Sequence, residues 1–261
     1  MLMQAEFRQL EQVSFELFSA AGNKVLLLRV DGLPLSDAAL IDHAERLAAR
    51  IWPETPPEIY AILRQISGIW HASFWNPDLT FEKMCGNAMR SIALALSRDN
   101  QLRQATVMTP HGPTTVRSDG AYASFSLSLS AISVRTLRTA TRIDVGTPHL
   151  VHRCEDACAD WVAPLGNTIT TRARPLNATF FSQHGGRLVA RTFERGVGET
   201  LSCGTGAIAA TIASGIGAAL SDGRIAREVR FVSGEQLHVA ICPNAGSATL
   251  SGPCISLGRL S

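Results

Sequence analysis

The sequence predicts an α+β protein built from two similar halves, each with several short strands and one central apolar helix. Three observations carry that prediction. A cysteine-glycine pair opens a small-residue apolar run twice, at Cys85-Gly86 and at Cys203-Gly204. The pairs stand 203 − 85 = 118 residues apart, a little under half of the 261-residue chain. The segments around them read as short strands divided by Gly, Asn and Pro, with the alternation of half-buried sheet.

Taken in order, Val13 to Phe18 alternates apolar and polar residues and reads as a strand. Ala21-Gly22-Asn23-Lys24 is a turn, and Val25 to Val30 completes a hairpin. Ser36 is placed to cap a helix from Asp37 to about Ile51, with Leu40, Ile41, Ala44, Leu47, Ala48 and Ile51 on its apolar face. Pro53, Pro56 and Pro57 mark a loop; Glu58 to Ile66 and Ile69 to Trp75 follow as strands, with His71 half-exposed. Asn76-Pro77-Asp78 turns the chain ahead of the first cysteine. Gly86 to about Ser97 is the first central helix, and Thr106 to Arg117 contains a loop that holds His111. Ala121 to Ser130 puts Ala123, Phe125, Leu127 and Leu129 inward and four serines outward.

A domain boundary is expected near Gly120. It gives a half at 1–120 with Cys85 and a half at 121–249 with Cys203. In the second half, Ile143 to His149 ends a strand, and Arg174-Pro175-Leu176-Asn177 leads into another. His184-Gly185-Gly186 turns into Arg187 to Glu194. Ile225 to Val232, Gln236 to Ile241 and Thr249 to Leu257 read as the last strands.

Composition narrows the class. Apolar residues are 46% and charged residues 18%, a globular balance. A net charge of +2 gives no bulk attraction to nucleic acid. Met1 to Gln12 is charged and lacks the apolar core of an export signal. Ala207 to Leu220 has no charged residue but falls short of the roughly 18 residues at which a membrane span begins. A soluble cytoplasmic protein is expected, with neither membrane nor nucleic acid as partner. The six cysteines, Cys85, Cys154, Cys158, Cys203, Cys242 and Cys254, are expected to be free thiols, because a chain this long needs no staples. His149, His152, Cys154 and Cys158 lie close together, but their spacing fits no zinc pattern, and no metal is expected. Gly204-Thr205-Gly206 is not followed by a dinucleotide-binding pattern, and no lysine context suits pyridoxal phosphate, so no cofactor is expected.

Two stretches carry the chemistry. Phe193-Glu194-Arg195-Gly196-Val197-Gly198-Glu199-Thr200-Leu201-Ser202-Cys203-Gly204-Thr205-Gly206-Ala207 is a charged, glycine-punctuated loop that delivers a thiol to a buried helix. Met84-Cys85-Gly86-Asn87-Ala88-Met89-Arg90 repeats the device. Unpaired N–H groups and the helix dipole favour negative charge at such a place. Each thiol is therefore expected to ionise more readily than a free one, whose pKa is roughly 8.5.

Both stretches resemble the diaminopimelate epimerase family, whose members move a proton at an amino-acid α-carbon without a cofactor. Glu194 to Ala207 follows the family's second-cysteine motif almost letter for letter. Cys85-Gly86-Asn87 and Arg90 follow the first, with Ala88-Met89 in place of Gly-Ala. Weaker matches cover most of the remaining chain. The resemblance implies that each half is a mostly antiparallel sheet or barrel wrapped around its helix. It also implies that the last strand, about 250–261, returns to the first half, and a homodimer is expected. It implies substrate ligands at Asn23, at Asn76 (85 − 76 = 9 residues before the cysteine), at Asn177, and at Glu194 and Arg195. Thr147 stands where the family's Val-Gly-Asn-Pro-His turn has a substrate-binding Asn; His149 matches the end of that turn. Asn76, Asn177 and Arg195 match diaminopimelate recognition, whereas Thr147, Lys24 and Ala88-Met89 depart from the pattern. Conversion of LL- to meso-diaminopimelate, a step of lysine biosynthesis, is the first expectation. Racemisation of histidine or another single-carboxylate amino acid is the alternative.

Two thiols can perform this reaction. One starts as thiolate and takes the α-proton, while the other delivers a proton to the opposite face. The charge that develops on the substrate carboxylate needs donors. The N–H groups of Gly86, Asn87, Gly204 and Thr205, at two helix starts, are placed to supply them. Two buried structural cysteines would be the bland account; the repeated grammar and the long second motif argue against it. A redox sensor that joins Cys85 to Cys203, or an amino-acid-binding protein, would put no solvent deuterium into any amino acid.

Overall fold

The computed structural model describes residues 13–30, 35–172, 176–216 and 223–260. The expectations for residues 1–12, for 174–175 and for 217–220 lie outside the described residues.

The first half runs β1 (Ser14–Ala20), β2 (Asn23–Arg29), α1 (Asp37–Ile51), β3 (Ile59–Ile66), β4 (Ile69–Trp75), β5 (Phe81–Glu82), α2 (Gly86–Asn100), β6 (Gln104–Thr109), β7 (Gly112–Ser118) and β8 (Tyr122–Ser128). After β9 (Ser133–Thr136) the order repeats. It runs β10 (Thr141–Asp144), β11 (Pro148–Arg153), α3 (Val162–Arg172), β12 (Asn177–His184), β13 (Arg187–Glu194), β14 (Gly198–Thr200), α4 (Gly204–Gly215), β15 (Ile225–Phe231), β16 (Gln236–Cys242) and β17 (Ser247–Leu260).

Local chemistry accounts for the starts of these elements. Ala21 and Gly22 both take positive φ, 49° and 85°, as a tight two-residue hairpin requires. Ser36 Oγ accepts from Ala39 N at 3.3 Å and caps α1. Parallel neighbours need a long crossover. Accordingly α1 links β2 to β3, and α3 links β11 to β12. The segments that carry α2 and α4 link β4 to β6 and β13 to β15.

The first eight-stranded barrel closes in the order β1-β2-β3-β4-β6-β7-β8-β17 and back to β1. Six of its eight pairings are antiparallel. The second sheet repeats that order as β10-β11-β12-β13-β15-β16-β17, and β9 pairs with β10 at its far side. β17 is longer than its sequence pattern indicates, because it serves both sheets. Ser247 to Pro253 pair with β8 at the seam, and Cys254 to Leu260 pair with β1. Leu129 does not continue the inward row; it leaves the strand at a short 3-10 turn and is half-buried.

α2 packs against β7, β8 and β17, and α4 against β11, β15 and β16. Ile92, Leu96, Ile208, Phe125 and Phe181 share one continuous core that spans both halves. Each fully buried side chain of this kind contributes about 1.5–3 kcal/mol. No helix among the described residues is long and apolar enough to cross a membrane.

The two central helices meet at their first residues. A Cβ built on Gly86 would lie 3.1 Å from Gly204 Cα and 3.1 Å from the buried Phe125 ring; one on Gly204 would lie 3.1 Å from Gly86 Cα. A methyl group at either place forces backbone or a packed ring to move. Gly86→Ala is expected to destabilise the protein by about 1–3 kcal/mol. The measurement is the urea midpoint followed by circular dichroism, and an unchanged midpoint would contradict this packing.

Candidate active site

Cys85 and Cys203 cap the two helices that meet. Their backbones are nearly identical, at φ −135°, ψ 111° and φ −134°, ψ 116°. Gly206 N–H donates to Cys203 Sγ at 3.3 Å, and Thr205 Oγ1 lies 3.4 Å from the same sulfur. The N–H groups of Ala88 and Asn87 point at Cys85.

Both thiols open on one cavity of about 30 Å³. That is room for only a few waters. Asn23, Asn76, Gly86 and Asn87 line it from the first half; Thr147, Glu194, Gly204 and Thr205 line it from the second. Asn177 and Arg195 are one layer out, in an adjoining cleft whose wall includes Glu82 and Thr147.

Burial outweighs the helix starts. It pushes Cys85 up to about 12, with Glu194 and Glu82 adding repulsion and the Ala88 and Asn87 N–H groups opposing. It raises Cys203 well above the ordinary thiol range, and Glu194 adds to the rise. The expectation that helix position alone favours thiolate is therefore corrected: in the closed site both sulfurs hold their protons. The Glu194 carboxyl is itself raised by burial, against hydrogen bonds from Cys203 and from Thr200 Oγ1 at 3.0 Å.

The polar residues of the site hold one another across the two halves. Asn23 Nδ2 donates to Ser202 O at 2.7 Å and to Ser202 Oγ at 2.8 Å, and Ser202 Oγ donates to Ala21 O. Thr147 Oγ1 donates to Met84 O at 3.2 Å. The turn before Thr147 needs Gly146, at φ +94°, since a Cβ there would lie 2.7 Å from Met84 Cβ. Asn177 Oδ1 accepts from Arg195 N at 3.0 Å. Asn87 Oδ1 accepts from Arg90 Nη2 at 3.0 Å, and that guanidinium is fully buried.

His149, which the resemblance places at the end of the family's turn, stands behind this site. Its ring nitrogens lie 2.9 Å from Thr179 Oγ1 and 2.9 Å from Thr205 Oγ1. Burial pushes its pKa down to about 3, so the ring is neutral. His152 instead stacks on Phe180, and Cys154 Sγ donates to Phe181 O. Among the described residues no three His, Cys, Asp or Glu side chains converge as a metal site. All six cysteines are free thiols.

No family model matches the chain. A diaminopimelate epimerase from Xylella fastidiosa (strain M12) is 29% identical over 274 residues, covering 92% of this chain and 92% of its own. A diaminopimelate epimerase from Rhodococcus jostii (strain RHA1) is 34% identical over 218 residues, covering 71% of this chain and 70% of its own. The chain belongs to the diaminopimelate epimerase family. It is an isomerase, of the amino-acid epimerase class.

Solved structures share the fold of this epimerase. A hydroxyproline epimerase from Agrobacterium vitis with bound trans-4-hydroxy-L-proline has a TM-score of 0.66 at 14% identity, covering 95% of this chain and 91% of its own. A phenazine biosynthesis protein of the PhzF family from Enterococcus faecalis has a TM-score of 0.67 at 10% identity, covering 95% and 97%.

Sequence reasoning missed Glu82. It stands three residues before Cys85 and looks like any solvated charge, but its partner Arg195 lies 113 residues away.

Two expectations follow for this epimerase. Cys158 is exposed, whereas Cys203 is buried and Cys85 half-buried, and desolvation raises the pKa of both. At pH 7.5 iodoacetamide should label Cys158 first, with Cys85 slower by about a hundredfold or more and accelerating as pH rises. Peptide mapping over time checks the order. His149, depressed in the fold, contributes stability that is present above its ordinary pKa of 6.5 and is lost as pH falls towards 3. Urea midpoints between pH 7 and 4 should fall, and His149→Gln should flatten that slope.

Proposed function

We propose that the protein inverts the α-carbon of an amino acid with two thiols and without a cofactor. The observation that carries this reading is the pairing of Cys85 and Cys203 at matching helix starts that abut at Gly86 and Gly204 and open on one cavity.

The chemistry follows from the placement. A substrate carboxylate between the helix starts meets the N–H groups of Gly86, Gly204 and Thr205, which stabilise the charge that grows on it as the α-proton leaves. One sulfur, its proton released to solvent as the substrate enters, takes that proton as thiolate, and the other gives its own to the opposite face. The pair ends with its roles exchanged, ready for the reverse reaction. A substrate ammonium beside Glu194 offsets the carboxylate charge that raises both thiols. His149 fixes the Thr205 hydroxyl against Cys203 without contributing charge.

Two substrates are in view. The names of the curated relatives favour LL-diaminopimelate. The Glu82–Arg195 pair favours an amino acid with a single carboxylate, such as histidine.

In deuterated water the protein should introduce α-deuterium into its amino-acid substrate, read by mass spectrometry. Cys85→Ala and Cys203→Ala should each lose exchange by about three orders of magnitude or more while remaining folded. Full exchange in either variant would refute the two-thiol reading. Dialysis against a chelator should leave the rate unchanged.

A further inference from the structure

We infer that Glu82 occupies the place of a distal substrate carboxylate, so that the site selects amino acids whose side chain ends in a cation. The inference rests on the reading that the substrate α-carbon lies between Cys85 and Cys203.

The donors at the distal end are already engaged. Glu82 Oε1 accepts from Asn76 Nδ2 at 3.0 Å and from Arg195 Nη2 at 3.2 Å. Asn76 Nδ2 spends its other hydrogen on Thr80 Oγ1 at 3.0 Å, and Asn76 is buried. Arg195 also faces the Asp78 carboxylate. An incoming carboxylate must therefore take these donors from Glu82 and then sit beside it, and like charges at such range repel.

The acceptors are in surplus. Glu82 Oε2 reaches Thr147 Oγ1 at 3.5 Å, the limit of a hydrogen bond, and the Glu82 side chain is 19% exposed. Glu58, Glu82 and Glu194 all line the central cavity, and among the described residues no Lys or Arg does. Lys24 interacts electrostatically with Glu58 and donates to Gly22 O. With Glu194 placed for the α-ammonium, Glu58 and Glu82 are left for a second positive group.

A matched set of amino acids isolates each distal charge. L-Norleucine ends in a methyl group; L-lysine adds the ammonium; LL-diaminopimelate adds a carboxylate at the same carbon. Binding is measured by calorimetry on Cys85→Ala protein, where turnover does not intrude. L-Lysine is expected to bind about tenfold or more tighter than L-norleucine and than LL-diaminopimelate. Adding Glu82→Gln, which preserves shape and an acceptor, should abolish the lysine preference and improve LL-diaminopimelate binding, with an unchanged melting temperature showing that the fold is kept. LL-diaminopimelate binding as tightly as lysine while Glu82 is present would overturn the proposal. So would a lysine preference that survives Glu82→Gln, or failure of every ligand to bind. Deuterium exchange is scored separately on otherwise wild-type protein. Exchange of lysine that survives Cys85→Ala or Cys203→Ala would sink the two-thiol reading and leave the charge selection standing.

Discussion

Gly86 and Gly204 meet where α2 and α4 begin, and neither position has room for a methyl group. Two helix N-termini, each carrying roughly half a positive charge, are thereby turned on one small volume. Like ends in contact repel, and the fully buried Arg90 adds a whole positive charge nearby. The surrounding groups answer that field. Two sulfurs take up N–H groups at the helix starts, and three carboxylates line the same cavity. Under the proposed reading, that field suits an anion at its centre and cations around the edge.

The same enclosure sets the thiols. Removing Cys85 and Cys203 from water costs more than the helix starts return, and the neighbouring Glu194 pushes in the same direction. Desolvation and the raised pKa values together slow alkylation of both sulfurs. Under the proposed two-thiol reading, a zwitterionic amino acid changes both terms, since its ammonium neutralises the carboxylate and its carboxylate takes the remaining N–H groups. Binding and activation of the sulfur are then one event.

Much of this was legible in sequence where the physics is local. The two Cys-Gly starts, the Ser36 cap, the positive-φ hairpin at Ala21-Gly22 and the alternation in β8 depend on neighbours within a few residues. Ten of the proposed site residues line the cavity for the same reason: they cluster in short motifs at the helix starts and at turns. What was not legible depends on distant partners. Glu82 acquires meaning from Arg195, and His149 from Thr179 and Thr205. The rise of the thiol pKa values requires both halves to be closed around them, and no local pattern records desolvation.

The closing ladder of the first barrel joins Phe15 to Leu260. Seven of the eight strands of that barrel lie between Ser14 and Ser128, but the eighth is made only after the other strands of the second sheet. Until then the edges of β1 and β8 lack their partner, and α2 lies in an open trough. The nascent first half is thus held incomplete through the translation of the second, and the two must be finished together. Such a chain has a high contact order and folds slowly for its size. Unpaired strand edges during that interval are prone to aggregate.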